Sequence, residues 1–216
     1  MYQVPPLPQL SQAVIDGDDQ STPALVEQSL AEGTPAAEIL QQGLLAGMTE
    51  VGRRFREGEY YIPDVLVAAE AMKAGVAVLR PHLLQAGVRP EFTAVVGTVQ
   101  GDLHDIGKNL VATMLEGAGF DVVDLGVDVP AEQFVASCQA QRVHVVGLSA
   151  LLTTTMAAMT ETVAAIQRDI DPPPVILVGG APVSDQFAAQ IGADGYGRDA
   201  ATGAELARQL CAARSA

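Results

Sequence analysis

The spacing of apolar residues changes near position 88. Before it, the spacing is helical: Ile39, Leu40, Leu44, Leu45, Met48, Val51 and Phe55 share one face behind Thr34-Pro35 and Glu38, a cap with proline at the first helical position. Thr22-Pro23 opens a shorter helix ending near Gly33. Ile62-Pro63 opens a long one through Val65, Leu66, Ala69, Met72, Val76 and Leu79, expected to stop before Pro81. With Leu10 to Asp16 as a first helix, residues 1–88 read as a four-helix bundle.

From Arg89 onward, short apolar runs alternate with helical stretches. Strands are expected near 93–99, 121–124, 143–149, 175–178 and, weakly, 194–196, with helices near 106–118, 131–141, 155–168, 184–190 and 200–212. Such alternation predicts right-handed βαβ units in a parallel sheet. The fold class is therefore α/β. Residues 89–216 are expected to form a doubly wound five-stranded sheet of order 2-1-3-4-5, a flavodoxin-like Rossmann variant, behind the helical cap. The join, Ala86-Gly87-Val88-Arg89-Pro90, is brief and leaves no long linker.

Composition narrows the function classes. The chain has 216 residues, of which 49% are apolar, enough for sizeable cores. Its 12 basic and 26 acidic residues give a net charge of −14, which opposes binding to phosphate backbones and anionic lipid. No nucleic-acid or membrane partner is expected. Met1 to Pro8 has neither a basic start nor an apolar segment of leader length, and no run approaches a membrane span. Cys138 and Cys211 lack a CxxC spacing and read as reduced thiols packed in helices, which fits a cytoplasmic location.

The candidate chemistry lies on the loop after the first expected strand: Asp102-Leu103-His104-Asp105-Ile106-Gly107. In an open parallel sheet, ligands bind beyond the carboxyl ends of the strands. A carboxylate holding one ring nitrogen of a histidine fixes its tautomer and strengthens the other nitrogen as a metal ligand. Read alone, the hexapeptide fits either a ligating histidine or an ordinary loop histidine bonded to Asp102 or Asp105. His82, after Pro81, reads as a helix-end residue, and His144, within Val143-His144-Val145-Val146, as a strand residue with a satisfied hydrogen bond.

The hexapeptide resembles the DxHxxG signature of cobalamin-binding domains. The rest of that pattern follows in order: 41 residues separate Gly107 from Ser149-Ala150-Leu151, and 27 separate Leu151 from Gly179-Gly180. The resemblance covers the second half and extends to the cobalamin module of methionine synthase. It implies base-off, His-on binding of cobalamin (methylcobalamin or a related corrinoid), with His104 as the cobalt ligand. Asp102 would orient His104, and Thr155 would be the third member of the relay, where the family commonly has serine. The relay would take up a proton when His104 releases cobalt. Ile106, Gly107, Ser149, Leu151, Thr153, Gly179 and Gly180 would complete the cofactor site, with the small residues Gly147, Ala150 and Ala181 making room for the nucleotide tail. On residue type alone, the glycines fit tight turns or helix-sheet packing equally.

The stretch Val51 to Pro63 and the following Ala68-Ala69-Glu70-Ala71-Met72 resemble the cap of methyl-carrying corrinoid proteins. Phe55 and Ile62 match the cap positions over cobalt, with Val65 nearby, and residues 87–90 would be the hinge. Without the resemblance, these side chains read as bundle core. Length and architecture resemble the corrinoid proteins of methylamine, methanol, glycine-betaine and methoxyaromatic systems. They imply a carrier that shuttles a methyl group between a substrate-specific methyltransferase and an acceptor methyltransferase acting on a thiol or tetrahydrofolate, with a reductive activase as a further partner. Such a chain would not turn over substrate alone. The alternative is a cobalamin-dependent light sensor or regulator, whose usual basic region and cap Trp are absent here. A mutase cobalamin subunit has no need of the bundle, and a nucleotide-binding flavodoxin-like domain would need the GxGxxG or GxxxxGK[ST] loop this chain lacks.

Overall fold

The computed structural model describes residues 7–215 and divides into two compact units, with the boundary between Pro90 and Glu91. Residues 1–6, most of the segment read above for a leader, lie outside the described residues.

The first unit is helical. α1 spans Leu7–Ile15 and α2 Ser21–Ala31. α3, Ala36–Glu38, runs through a π-helical stretch, Ile39–Leu45, into α4, Ala46–Arg56, and α5 covers Ile62–Gln85. α3, the π stretch and α4 follow on without a break, so the unit holds the four helices that periodicity predicts. Leu10, Val14, Val26, Ile39, Leu44, Val51, Val65 and Leu79 are fully buried, which is the amphipathic stripe turned inward. A side-chain carbon added at Gly47 would stand 2.9 Å from the Ser11 carbonyl oxygen, so glycine lets this helix approach α1 closely.

Several details depart from the expected elements. Pro35 is not the first helical residue behind a Thr34 cap: its backbone is extended at ψ 138°, and it is itself the cap residue of α3, which begins at Ala36 without a side-chain cap bond. α5 does not stop before Pro81 but continues to Gln85, with Pro81 inside it. Proline removes one intrahelical donor, yet Leu83 in the next turn is buried, and that packing sustains the helix. The opening of α2 also differs: the helix begins at Ser21, and Asp18 accepts the Ser21 N–H at 2.8 Å, so an aspartate rather than Thr22 marks its start.

The second unit is a five-stranded, all-parallel sheet of order β2-β1-β3-β4-β5, as the alternation predicts. Its strands are β1 Thr93–Thr98, β2 Asp121–Asp124, β3 Val145–Ser149, β4 Val175–Gly179 and β5 Gly195–Gly197. The intervening helices are α6 Ile106–Gly117, α7 Ala131–Ala140, α8 Met156–Asp169, α9 Asp185–Ile191 and α10 Ala200–Ser215. β1, β3 and β4 are buried nearly end to end, as expected of strands covered on both faces, whereas the edge strands β2 and β5 are short. One layer of the core gathers Val95, Phe134, Val146, Met159, Ile166 and Ile176.

Candidate cofactor-binding site

Register brings the three sequence blocks together. Thr98 at the end of β1 pairs with Ser149 at the end of β3, and Ser149 pairs with Gly179 at the end of β4. The hexapeptide, Ser149-Ala150-Leu151 and Gly179-Gly180 therefore leave the sheet side by side at its carboxyl edge. β1 and β3 flank the point where the strand order reverses, the crevice in which open α/β sheets bind ligands.

Asp102 organises the loop. It is 0% exposed, and its carboxylate accepts from donors on two separate segments. One oxygen takes the His104 ring Nδ1 at 2.6 Å and the His104 backbone N–H at 3.1 Å. The other takes the backbone N–H of Leu151 at 2.7 Å, that of Leu152 at 3.2 Å and the Thr155 hydroxyl at 2.8 Å. Burial pushes the Asp102 pKa upward, but the bonds from Leu151, His104 and Thr155 outweigh it, and the carboxyl is held well below the usual carboxylate range. The group is thus a buried anion.

An ionised carboxylate only accepts, so in the neutral imidazole the ring proton sits on Nδ1 and the Nε2 lone pair is left available. The His104 side chain is 50% exposed, so that nitrogen belongs to an accessible ring. Thr155, the last residue of a 3-10 turn spanning Thr153–Thr155, is buried. Its hydroxyl also lies 2.9 Å from the Leu152 carbonyl, and the charged carboxylate is the stronger of the two acceptors.

The remaining predicted residues sort by location. Ile106 and Leu151 are exposed, as are Leu103 and Leu152, so the His104 loop and the segment whose amides bind Asp102 carry four large apolar side chains at the surface. Gly107 is exposed and open: a side-chain carbon there would meet no atom within 4 Å. Gly180 is the opposite case, with φ +125°, and a side-chain carbon added there would stand only 1.8 Å from the Ala150 carbonyl oxygen. Ser149 and Gly179 are half-buried and Thr153 is exposed. Phe55, Ile62 and Val65 belong to the helical unit, where Phe55 in the last turn of α4 is half-buried, Ile62 at the start of α5 is exposed and Val65 is fully buried.

Three residues near the site were not singled out by sequence reasoning. The buried Thr98 donates its hydroxyl to the His104 carbonyl at 2.8 Å. Asp128 accepts the Gly101 N–H at 2.7 Å. Lys108 is 3% exposed and pairs with Asp124 at the end of β2. No sequence signal marks that burial, since α6 also carries Asn109, Thr113 and Glu116. Of the other histidines, His144 immediately precedes β3, and its Nδ1 accepts the Thr93 N–H at 2.9 Å, the satisfied hydrogen bond expected of it. Burial lowers its pKa.

No group of three or more His, Cys, Asp or Glu among the described residues could hold a metal ion. A lone imidazole suits a metal that brings its other ligands with it, as cobalt does within a macrocycle. The small residues at the ends of β3 and β4 suit a bulky group lying against the backbone. Residues 92–205 match the family described as B12 binding domain, and residues 7–80 match a second family of the same description. A corrinoid protein of Desulfitobacterium hafniense (strain Y51) is 40% identical over 208 residues, covering 94% of this chain and 96% of that one. Trimethylamine corrinoid protein 1 of Methanosarcina mazei is 41% identical over 191 residues, covering 87% and 88%. In the methanol:cobalamin methyltransferase complex of Methanosarcina barkeri, a chain 30% identical superposes with a TM-score of 0.82 over 94% of this chain and 78% of that chain. The chain belongs to the B12-binding corrinoid proteins, and its cofactor is a cobalamin or related corrinoid.

Proposed function

We propose that the protein is a methyl carrier, with His104 Nε2 as the protein ligand to cobalt in a base-off, His-on corrinoid. The observation that carries this reading is the fully buried Asp102 carboxylate, bonded at 2.6 Å to His104 Nδ1, which leaves the opposite nitrogen free to act as a ligand. Thr155 and the Leu151 and Leu152 amides hold Asp102 in turn. Ser149, Thr153, Gly179 and Gly180 would receive the nucleotide tail, while Ile106, Gly107 and Leu151 would lie against the corrin. Of the cap residues that the resemblance names, Phe55 and Ile62 keep accessible surface and would shield the cofactor from water, whereas Val65 is fully buried in the bundle core and would support the cap from within. When bound, the corrinoid supplies a cobalt centre that accepts a methyl group and gives it up.

The protein's own task is to bind, orient and exclude water. Asp102 and Thr155 act through His104 as positioning residues: an anion with fixed donors holds the imidazole in one tautomer and can accommodate a proton on the ring when ligation is released. The partners would be a substrate-specific methyltransferase, an acceptor methyltransferase using a thiol or tetrahydrofolate, and a reductive activase. The test is reconstitution with hydroxocobalamin, reduction, and transfer assays with methyltransferases encoded beside this chain. Methyl transfer through the loaded protein supports the carrier role, and cofactor uptake without transfer to any such enzyme counts against it. No helix among the described residues is long and apolar enough to cross a membrane.

A further inference from the structure

We propose that Thr98 and Asp128 are positioning residues that preset the His104 loop before the cofactor arrives. The inference rests on His104 being the cobalt ligand. Asp102 fixes the ring, but the ring is only as well placed as the main chain carrying both residues, and beyond the Val99–Val129 bridge that chain has neither strand nor helix before α6.

Two grips hold it. From within, Thr98, fully buried as the last residue of β1, donates its hydroxyl to the main-chain carbonyl of the ligating residue at 2.8 Å, six positions along the chain. From outside, Asp128 on the β2–α7 loop holds neighbouring main-chain groups. Its carboxylate accepts the Gly101 N–H at 2.7 Å, and its own N–H donates to the Asp102 carbonyl at 2.9 Å. Asp128 does this at φ 54°, and among the described residues it is the one non-glycine with positive φ. Aspartate tolerates that conformation better than most side chains, yet a strained residue persists only where its surroundings demand it. The grips are also joined, because the Val129 N–H donates to the Thr98 carbonyl at 3.0 Å. A loop ordered in this way pays its entropy before binding.

The chain has three histidines, which makes imidazole nitrogen NMR of the cofactor-free protein a direct test. His144 accepts a backbone N–H at Nδ1 and so carries its proton on Nε2, whereas His104 carries it on Nδ1, and the two have opposite signatures. Thr98→Val and Asp128→Ala should each turn the single Nδ1–H form of His104 into an average of both tautomers, and weaken hydroxocobalamin binding about 3- to 30-fold. Thr98→Ser and Asp128→Asn keep the grips and should stay within about threefold of wild type. Asp128→Gly frees the backbone without restoring the carboxylate and should behave as the alanine variant. The proposal is overturned if the valine and alanine variants keep both the sole Nδ1–H form and wild-type affinity, or if serine and asparagine restore neither. The exposed Asp128 variants decide the matter if Thr98→Val does not fold. The tautomer is read without cofactor, so a loaded wild-type protein lacking a histidine–cobalt bond would remove the ligation reading while leaving this comparison standing.

Discussion

Asp102 is fully buried, and its charge is met by hydrogen-bond donors from the His104 loop and from the Leu151–Thr155 segment. Asparagine at this position keeps the volume but brings two donors to face donors, so its bonds to the Leu151 amide and the His104 ring compete for one oxygen. Asp102→Asn should weaken axial ligation about 10- to 100-fold, read as a change in the cofactor's visible spectrum on titration of hydroxocobalamin into the apoprotein. An unchanged spectrum and affinity would remove Asp102 from the role given to it. Two glycines make a complementary pair of tests. Gly180→Ala must place a carbon against the Ala150 carbonyl and should cost roughly 2–5 kcal/mol in denaturant unfolding. Gly107→Ala meets nothing and should leave stability unchanged or raise it by up to about 1 kcal/mol, while cofactor uptake falls. Equal losses of stability would assign both glycines to packing. The sequence made Asp102, His104 and the glycine blocks readable because their spacing is local or falls at strand ends. Thr98 and Asp128 were not readable, since a strand-end threonine and a loop aspartate look ordinary until the fold brings them to residues 101–104.

Helices and strands follow from patterning, and the departures have local causes. The π-helical stretch Ile39–Leu45 carries the same apolar stripe as the α-helix predicted there, and one extra residue in a turn leaves no mark in a period estimate. Proline ends most helices, and α5 passes through Pro81 only because later packing outweighs one lost bond. In the middle of α4, Glu50 is bonded to Arg53 at 2.7 Å and to Arg54 at 2.9 Å, which holds its carboxyl down to about 2 against an ordinary 4.5. A carboxylate lowered by folding contributes stability that is complete above its unfolded pKa and lost as pH falls through the folded one. The thermal midpoint of Glu50→Gln should therefore lie below wild type at neutral pH and converge with it between pH 4.5 and about 2. A gap that persists at the acid end would refute the ion-pair origin. The thiols of Cys138 in α7 and Cys211 in α10 are each pushed up to about 11 by burial, Arg214 opposing this at Cys211. Both should resist alkylation in the native state at mildly alkaline pH and react fast once unfolded; rapid native labelling of either would contradict its packing.

The chain as a whole supplies a helical unit and a parallel sheet whose carboxyl edge gathers the three family blocks in register across β1, β3 and β4. That gathering is legible in the amino-acid sequence, because alternating strands and helices predict a parallel sheet, and all strands of a parallel sheet end at the same carboxyl edge. The depth at which Asp102 is buried is not, since burial depends on the segment from Leu151 to Thr155 folding over it. The function proposed for the molecule turns on the bond from His104 to the metal. Electron paramagnetic resonance of the reconstituted protein in its cobalt(II) form, prepared with and without nitrogen-15 histidine, reads that bond itself. Ligation by His104 predicts nitrogen splitting that changes from triplets to doublets with the label and disappears in His104→Ala while the cofactor stays bound. Splitting that ignores the label, or survives the alanine substitution, would contradict it.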